Sequence, residues 1–387
     1  MDFEHDPATE AFRAEVRAFL AEHLPPELED HLYATGAYHD DDFVRSLGAR
    51  NWIAPEWERE DGQVPLDHMR VHVLTEELTR VEAPIHASAT SVMVARVIRA
   101  IGSDWLRDLV VPAVLRGETT IALGLSEPEA GSDVAAVRTR ARRAGDGWVI
   151  DGQKMFTTSG HLADYVFLLT RTDPGSERHR GLTTFLVPTD SAGIEVQPVH
   201  TVSGERTNIT FYGEVRLDDR WRIGEVGQGW GALMLAMQEE HSAPFGPHLD
   251  RFVGLVEEWA AAEEDGTGAR PLDRDEVRQR LVRAATDREV GLLLDARVSW
   301  MEANGEPPVA EGSMTKLFNT EALVRAAEDL LALMGPDGLR TRGDATAVLG
   351  GRIEQAMRFS IGATIQAGTS EIHRNIIANF RCRLPRG

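Results

Sequence analysis

The chain has 387 residues, with 41 Lys plus Arg against 62 Asp plus Glu, and so a net charge of −21 with His neutral. An acidic chain of this kind is a poor partner for nucleic acid or an anionic membrane surface, both of which need a positive face. Its single Cys382 excludes an internal disulfide and any Cys-rich metal site, and a content of 42% hydrophobic and 27% charged residues is that of an ordinary globular chain.

The start, MDFEHDPATE, is acidic and lacks an apolar stretch. No leader is therefore expected, and the cytoplasm is the expected compartment. No apolar run approaches the ~20 residues of a membrane span. Residues 1–118 read as a helical domain. Segment 8–23 places Phe12, Val16, Phe19 and Leu20 at helical spacing, Pro25-Pro26 is read as its stop, and 66–82 and 88–101 repeat the pattern. From 119 to 226 the period becomes 2. TTIALGLSEP alternates Ile121, Leu123 and Leu125 with small residues, and GDGWVIDGQKMF reads as two short strands around a Gly-containing turn. With YVFLLTRT, LTTFLVPT, GIEVQPV and NITFYGEVRL, about six short strands predict an antiparallel β domain. Residues 227–387 return to helical periodicity at 229–242, 248–264, 274–302, 313–334, 350–366 and 370–381. The predicted fold class is α+β and multidomain: an N-terminal helical domain, a middle antiparallel β domain and a C-terminal helical bundle.

Three segments carry chemistry. The first, Leu125-Ser126-Glu127-Pro128-Glu129-Ala130-Gly131-Ser132-Asp133, follows a strand. It is either a plain β-turn or a loop whose N–H groups and hydroxyls approach a flat polar ligand. The second, Gly152-Gln153-Lys154-Met155-Phe156-Thr157-Thr158-Ser159-Gly160, sets an aromatic beside hydroxyls. Phe156 is either core or a stacking surface for a ring. In the third, Ala367-Gly368-Thr369-Ser370-Glu371-Ile372-His373-Arg374, Gly368 ends one element and Thr369 or Ser370 caps the next helix. A helix start of this kind is either ordinary or a seat for an electron-rich ligand.

In order and spacing these segments resemble the acyl-CoA dehydrogenase family over nearly the whole chain. LSEPEAGSD is similar to the family's (T/S)-E-P-x-A-G-S-D loop, GQKMFTTSG to its G-x-K-x-(W/F)-x-(T/S) segment, and AGTSEIHR to its G-T-S-E/Q-I-x-R motif. The resemblance implies FAD as cofactor and an acyl-CoA as substrate. It also implies an electron-transfer flavoprotein or similar acceptor, and a homo- or hetero-oligomer. It puts Ser126 on the flavin pyrimidine edge with Leu123 and Leu125 lining it, Phe156 against the isoalloxazine, and Thr158 on flavin N5. Gly335, Thr369 and Glu371 fall to the rest of the FAD, and Ser132 to the acyl-CoA.

The family reaction is α,β-dehydrogenation of an acyl thioester, with a carboxylate as α-proton acceptor. In many members that Glu immediately precedes the C-terminal G-T; here Ala367 stands there. Its backbone N–H still implies a donor to the thioester oxygen. In isovaleryl- and long-chain-type members the Glu lies on an earlier helix. Here Trp230, Leu233, Met234 and Met237 form an expected apolar stripe, and Glu240 follows seven residues after Leu233. A carboxylate at the edge of such a stripe is either a paired structural group or a base raised by burial, and the missing base at 367 favours the second. His241, where the family commonly has Arg, is either a surface residue or one that tunes Glu240 or shapes the substrate pocket, and it is not read as catalytic.

Two further features stand out. Loop 171–180, RTDPGSERHR, is a basic island that is either a solvated loop or a seat for coenzyme A phosphates. The family's R-x-x-F-G contact to FAD is absent from AEEDGTGARPLDRDEVRQRL, with Arg278 or Arg280 as substitutes. The first reading is thus an FAD-dependent acyl-CoA dehydrogenase with Glu240 as base. A non-catalytic partner subunit of a hetero-oligomer, and a flavin oxidase or monooxygenase on the same scaffold, are the alternatives.

Overall fold

A computed structural model describes residues 6–58, 62, 64–176, 178–240, 244–262 and 268–385, with the side chains of residues 26 and 238–240 outside the described set. The order of layers is the one expected: helices, then sheet, then helices.

Helix α1 (Pro7–His23) starts because the Asp6 carboxylate accepts the N–H groups of Ala8 and Thr9. It buries Phe12, Val16, Phe19 and Leu20. The Pro25-Pro26 pair does more than stop it: Pro26 opens α2 (Pro26–Thr35), since a fixed φ suits the first helical position. Helices α3 (Asp41–Ala49), α4 (His68–Arg80), α5 (His86–Ile101) and α6 (Asp104–Leu115) follow, three of them capped by Asp40, Asp67 and Ser103. α1 and α4 pack with Phe43, Leu47 and Trp52 into one apolar cluster.

The strands are β1 (Ile121–Gly124), β2 (Arg140–Ala144), β3 (Gly147–Lys154), β4 (Tyr165–Arg171), β5 (Leu182–Pro188), β6 (Ile194–His200), β7 (Arg206–Asp218) and β8 (Arg222–Ile223). They run in the order β6-β7-β3-β2-β4-β5-β8, with β1 on β4. Two sequence expectations change here. The sheet is mixed, because β1 pairs parallel to β4 (Ile121↔Tyr165) and β2 meets β4 in parallel at Arg140↔Arg171. GDGWVIDGQKMF holds one strand, not two. The hairpin turn lies before it, and Gly152 (φ +149) marks the point where β3 shifts register against β7. A Cβ at Gly152 would meet Thr139 Oγ1 at 2.6 Å.

Beyond the sheet come α7 (Gly229–Glu240), α8 (Gly246–Ala261), α9 (Asp275–Ala303), α10 (Val309–Leu331), α11 (Arg352–Ala363) and α12 (Ser370–Phe380). Leu249, Phe252, Val256, Leu281, Leu323 and Ile353 share the core of the bundle. α7 stands apart from it: Ala232 and Ala236 pack with α5, α6 and the sheet, and Leu233 packs with Leu169 and Leu182. The buried face of α7 therefore runs through Ala232, Leu233 and Ala236. Met234, placed by the sequence on the buried stripe, is 37% exposed. The hundred-degree step per residue carries it off the row that the small alanines press against the sheet.

Candidate active site

The first two motif segments are locked together by a buried ion pair. Lys154, at the end of β3, is fully buried; its Nζ donates to Glu127 Oε1 at 2.9 Å and to the Leu125 carbonyl at 3.0 Å. The Glu127 carboxylate also accepts the N–H groups of Arg138 (2.7 Å) and Thr139 (2.9 Å). Burial pushes the Lys154 amine down to about 8, against the pull of Glu127. Burial alone would raise Glu127, but Lys154 and the backbone donors hold it low. The Met155 N–H closes the joint on Ser126 O at 2.9 Å.

Next to this joint the chain turns sharply. Phe156 (φ +60) and Ser159 (φ +58) both take left-handed conformations. The turn is held from β7, where Asn208 O accepts the Thr157 N–H and Asn208 Nδ2 donates to Thr157 O, both at 2.9 Å. Asn208 Nδ2 also reaches His161 Nδ1 at 3.2 Å, a contact that needs a neutral ring; burial and then Arg206 push that imidazole down to about 4. As a result Thr157 is buried, while Phe156 is 58% exposed and Thr158, exposed, keeps one hydroxyl contact, to Thr207 Oγ1 at 3.2 Å. Phe156 is therefore not core. Leu123, Leu125 and Ser126 are half-buried, and the Ser126 hydroxyl has no partner among the described residues. An exposed ring, two leucines and two hydroxyls form a platform that a flat heteroaromatic group would cover.

α7 packs on the first loop: Trp230, Leu233 and Met237 share a cluster with Leu125 and Ala130. This brings the end of α7 toward the platform. Glu240 is the last residue of that helix, but its side chain, and His241 entirely, lie outside the described residues. Ser132 is exposed in the loop, beside Asp133, which pairs with Arg178 at 3.2 Å. The basic island is largely spent within the chain. Arg171 donates to the carbonyls of Ala135, Val137, Arg178 and Arg180 at 2.7–3.2 Å and pins its own loop.

In the third segment Thr369 caps α12, its Oγ1 accepting the Ile372 N–H. Glu371 is exposed on the first turn, and Ser370 Oγ is buried with no hydrogen-bond partner. Ala367 is half-buried at φ +54. Its carbonyl accepts His373 Nε2 at 2.9 Å, and that of Gly368 accepts Lys316 Nζ at 2.6 Å. Gly335 (φ +57) is an exposed kink after α10, remote in sequence from both loops. Arg278 and Arg280 are engaged locally, the first on the Leu272 and Asp273 carbonyls, the second on Glu276 and Asp329.

Sequence reasoning passed over Lys154, Asn208, Lys316 and His373. Lys154 left a trace, a lone cation in a strand whose other buried positions are apolar, and His373 lies inside the third segment; Asn208 and Lys316 left none.

Three family models match: the acyl-CoA dehydrogenase N-terminal domain over residues 6–118, the middle domain over 122–219 and the C-terminal domain over 227–380. The chain belongs to the acyl-CoA dehydrogenase family and is an oxidoreductase of that type. Among its relatives, acyl-CoA dehydrogenase FadE26 of Mycobacterium tuberculosis is 32% identical over 100% of this chain and 99% of its own length. FadE29 of the same organism is 30% identical over 98% of each. Two solved structures superpose over all of both chains: the Tcur3481–Tcur3483 steroid ACAD (TM-score 0.92, 30% identity) and the ChsE4–ChsE5 complex of M. tuberculosis (TM-score 0.90, 31%). Proteins of this family generally bind FAD.

Proposed function

We propose that the chain oxidises an acyl-CoA thioester to the trans-2-enoyl-CoA with FAD as cofactor. The observation that carries this reading is the platform of Phe156, Ser126 and Thr158, fixed by the buried Lys154–Glu127 joint. Its aromatic face and hydroxyls suit an isoalloxazine ring and its heteroatoms. The buried, unpartnered Ser370 Oγ at the head of α12 suits the far end of the cofactor. FAD, when bound, supplies the hydride acceptor, N5, for the β hydrogen.

The chain's own residues do the rest. Glu240 takes the α proton on its carboxylate as the Cα–Cβ double bond forms. Ala367 cannot act as base, but its N–H donates to the thioester oxygen, where negative charge develops as that proton leaves. Leu123 and Leu125 would line the cofactor's pyrimidine edge, and the exposed ring of Phe156 would pack against the isoalloxazine. Thr158 and Ser126 orient the cofactor edge, Thr369, Glu371 and Gly335 hold its remainder, and Ser132 and His241 bound the substrate.

By likeness to the steroid ACAD, the acyl group is bulky and polycyclic, and by likeness to both two-chain complexes the functional unit is a hetero-oligomer. An electron-transfer flavoprotein or similar carrier removes the electrons.

In Glu240→Gln, FAD binding is retained and anaerobic bleaching by acyl-CoA slows by about 10²–10⁴-fold. Unchanged bleaching in that variant moves the base elsewhere. Faster bleaching of the wild type by octanoyl-CoA than by a polycyclic acyl-CoA removes the substrate assignment.

A further inference from the structure

The turn at 366–369 holds the N–H group assigned above to the thioester oxygen, and two buried cation-capable side chains grip it. Ala367 and Gly368 have φ of +54 and +94. A left-handed Ala is strained and persists only where surrounding contacts over-determine it. From α12, His373, fully buried, donates Nε2–H to Ala367 O at 2.9 Å. From α10, Lys316, 2% exposed, donates to Gly368 O at 2.6 Å. Consecutive carbonyls are thus held from two helices, which fixes the conformation of the segment that begins at Ala367.

Lys316 has a second neighbour. Its Nζ lies 5.8 Å from the ring centroid of Phe245, a buried residue at the N-cap of α8 and five positions beyond Glu240. The next residue, Gly246, gives its N–H to Asp295 at 2.8 Å, so this end of α8 is fixed. One ammonium therefore touches the turn that holds the oxygen-binding N–H and the segment that follows the base.

We propose that Lys316 is a positioning residue for the dehydrogenation, setting the 367–369 turn against the start of α8 and placing positive charge one peptide from Ala367. This rests on the function proposed above. A cation's hydrogen bond is shorter and stronger than a neutral one. A preorganised charge near the developing enolate stabilises it without reorganisation.

The test compares holoenzyme with Lys316→Met and Lys316→Gln, using acetoacetyl-CoA as probe. This 3-oxothioester loses its α proton to give an enolate with its own absorbance, so the pH at which that band appears reads the oxygen's surroundings without turnover. In Lys316→Met that pH rises by about one unit or more, flavin reduction by the best acyl-CoA slows by about 10–100-fold, and KM stays within about threefold. Lys316→Gln, which keeps a donor without the charge, falls between. Wild-type enolate pH and reduction rate in a folded, flavin-bound Lys316→Met overturn the proposal. If that variant does not fold, Lys316→Gln decides by the same readings, and failure of both to fold leaves Lys316 a merely structural residue and also overturns it. A wild type that no acyl-CoA reduces sinks the proposed function itself. A normal wild type matched by both variants sinks only the role of Lys316.

Discussion

Lys154 and Glu127 show what a single buried pair does here. Without the ammonium, the Glu127 carboxylate stays buried with only the Arg138 and Thr139 N–H groups to serve it. Breaking a buried pair from one side costs about 3–5 kcal/mol, and the two surviving donors place Lys154→Met near the lower end. Denaturant unfolding of that variant is expected to show this loss together with reduced flavin content, because the Leu125–Ser126 strand end and the Phe156 turn part company. Wild-type stability in Lys154→Met would falsify the joint. Both residues sit inside motifs legible in the sequence, yet their pairing was not, since a motif names its members without saying which of them touch.

Among the elements, the long helices and the short α7 and α12 were legible, whereas α2, α3 and α6 were not read as separate helices. α2, α3 and α6, of 10, 9 and 12 residues, give only two or three turns each; α2 opens on Pro26, while α3 and α6 carry a cap and a short apolar row, Phe43–Val44–Leu47 and Leu106–Val110–Val114. The bundle also carries a polar joint that no period signals. Asp295 of α9 accepts from Gly246 of α8 and from Thr315 of α10, three helices on one carboxyl. Burial pushes it up to about 7, against the lowering effect of those hydrogen bonds. The unfolded carboxyl titrates near 3.8, so between pH about 4 and 7 the folded chain holds the extra proton. Its stabilising effect is complete below that window and is lost as pH rises through it. Melting temperature is expected to fall as pH rises from about 4 to 7 and to level off above that, from a stability change of up to about 4 kcal/mol, and Asp295→Asn flattens the slope. An identical slope in Asp295→Asn assigns the pH dependence to another group.

At the scale of the molecule, the layers are cross-braced. Arg342 reaches back to Glu29 (2.9 Å) and Asp30 (2.6 Å), Gln355 donates to Tyr38 Oη at 2.8 Å, and Arg358 donates to Val202 O at 2.7 Å. Many of the few cations are thus consumed inside the chain, as Arg171 is in the basic island. α9 leaves Val282, Val290, Leu293 and Trp300 at 64, 39, 44 and 37% exposure, an apolar surface that favours association. Expressed alone, the chain is expected to bind less than one FAD per chain and to fill its sites when a partner subunit is supplied. Light scattering with the flavin-to-chain ratio checks this, and a flavin-replete monomer refutes it.

The sequence by itself determined the order of the three layers, the −21 charge, the three motif segments and the absence of a carboxylate at 367. Those are local properties, written in period, composition and turn residues. The tertiary structure alone decided that Phe156 is exposed, that Met234 is off the buried face, that β1 runs parallel to β4, and that Lys154 and Lys316 find their partners 27 and 52 residues away. Periodicity tells a residue which face it shares with its neighbours along the chain. It carries no signal for the one atom, far off in sequence, that a buried charge must meet.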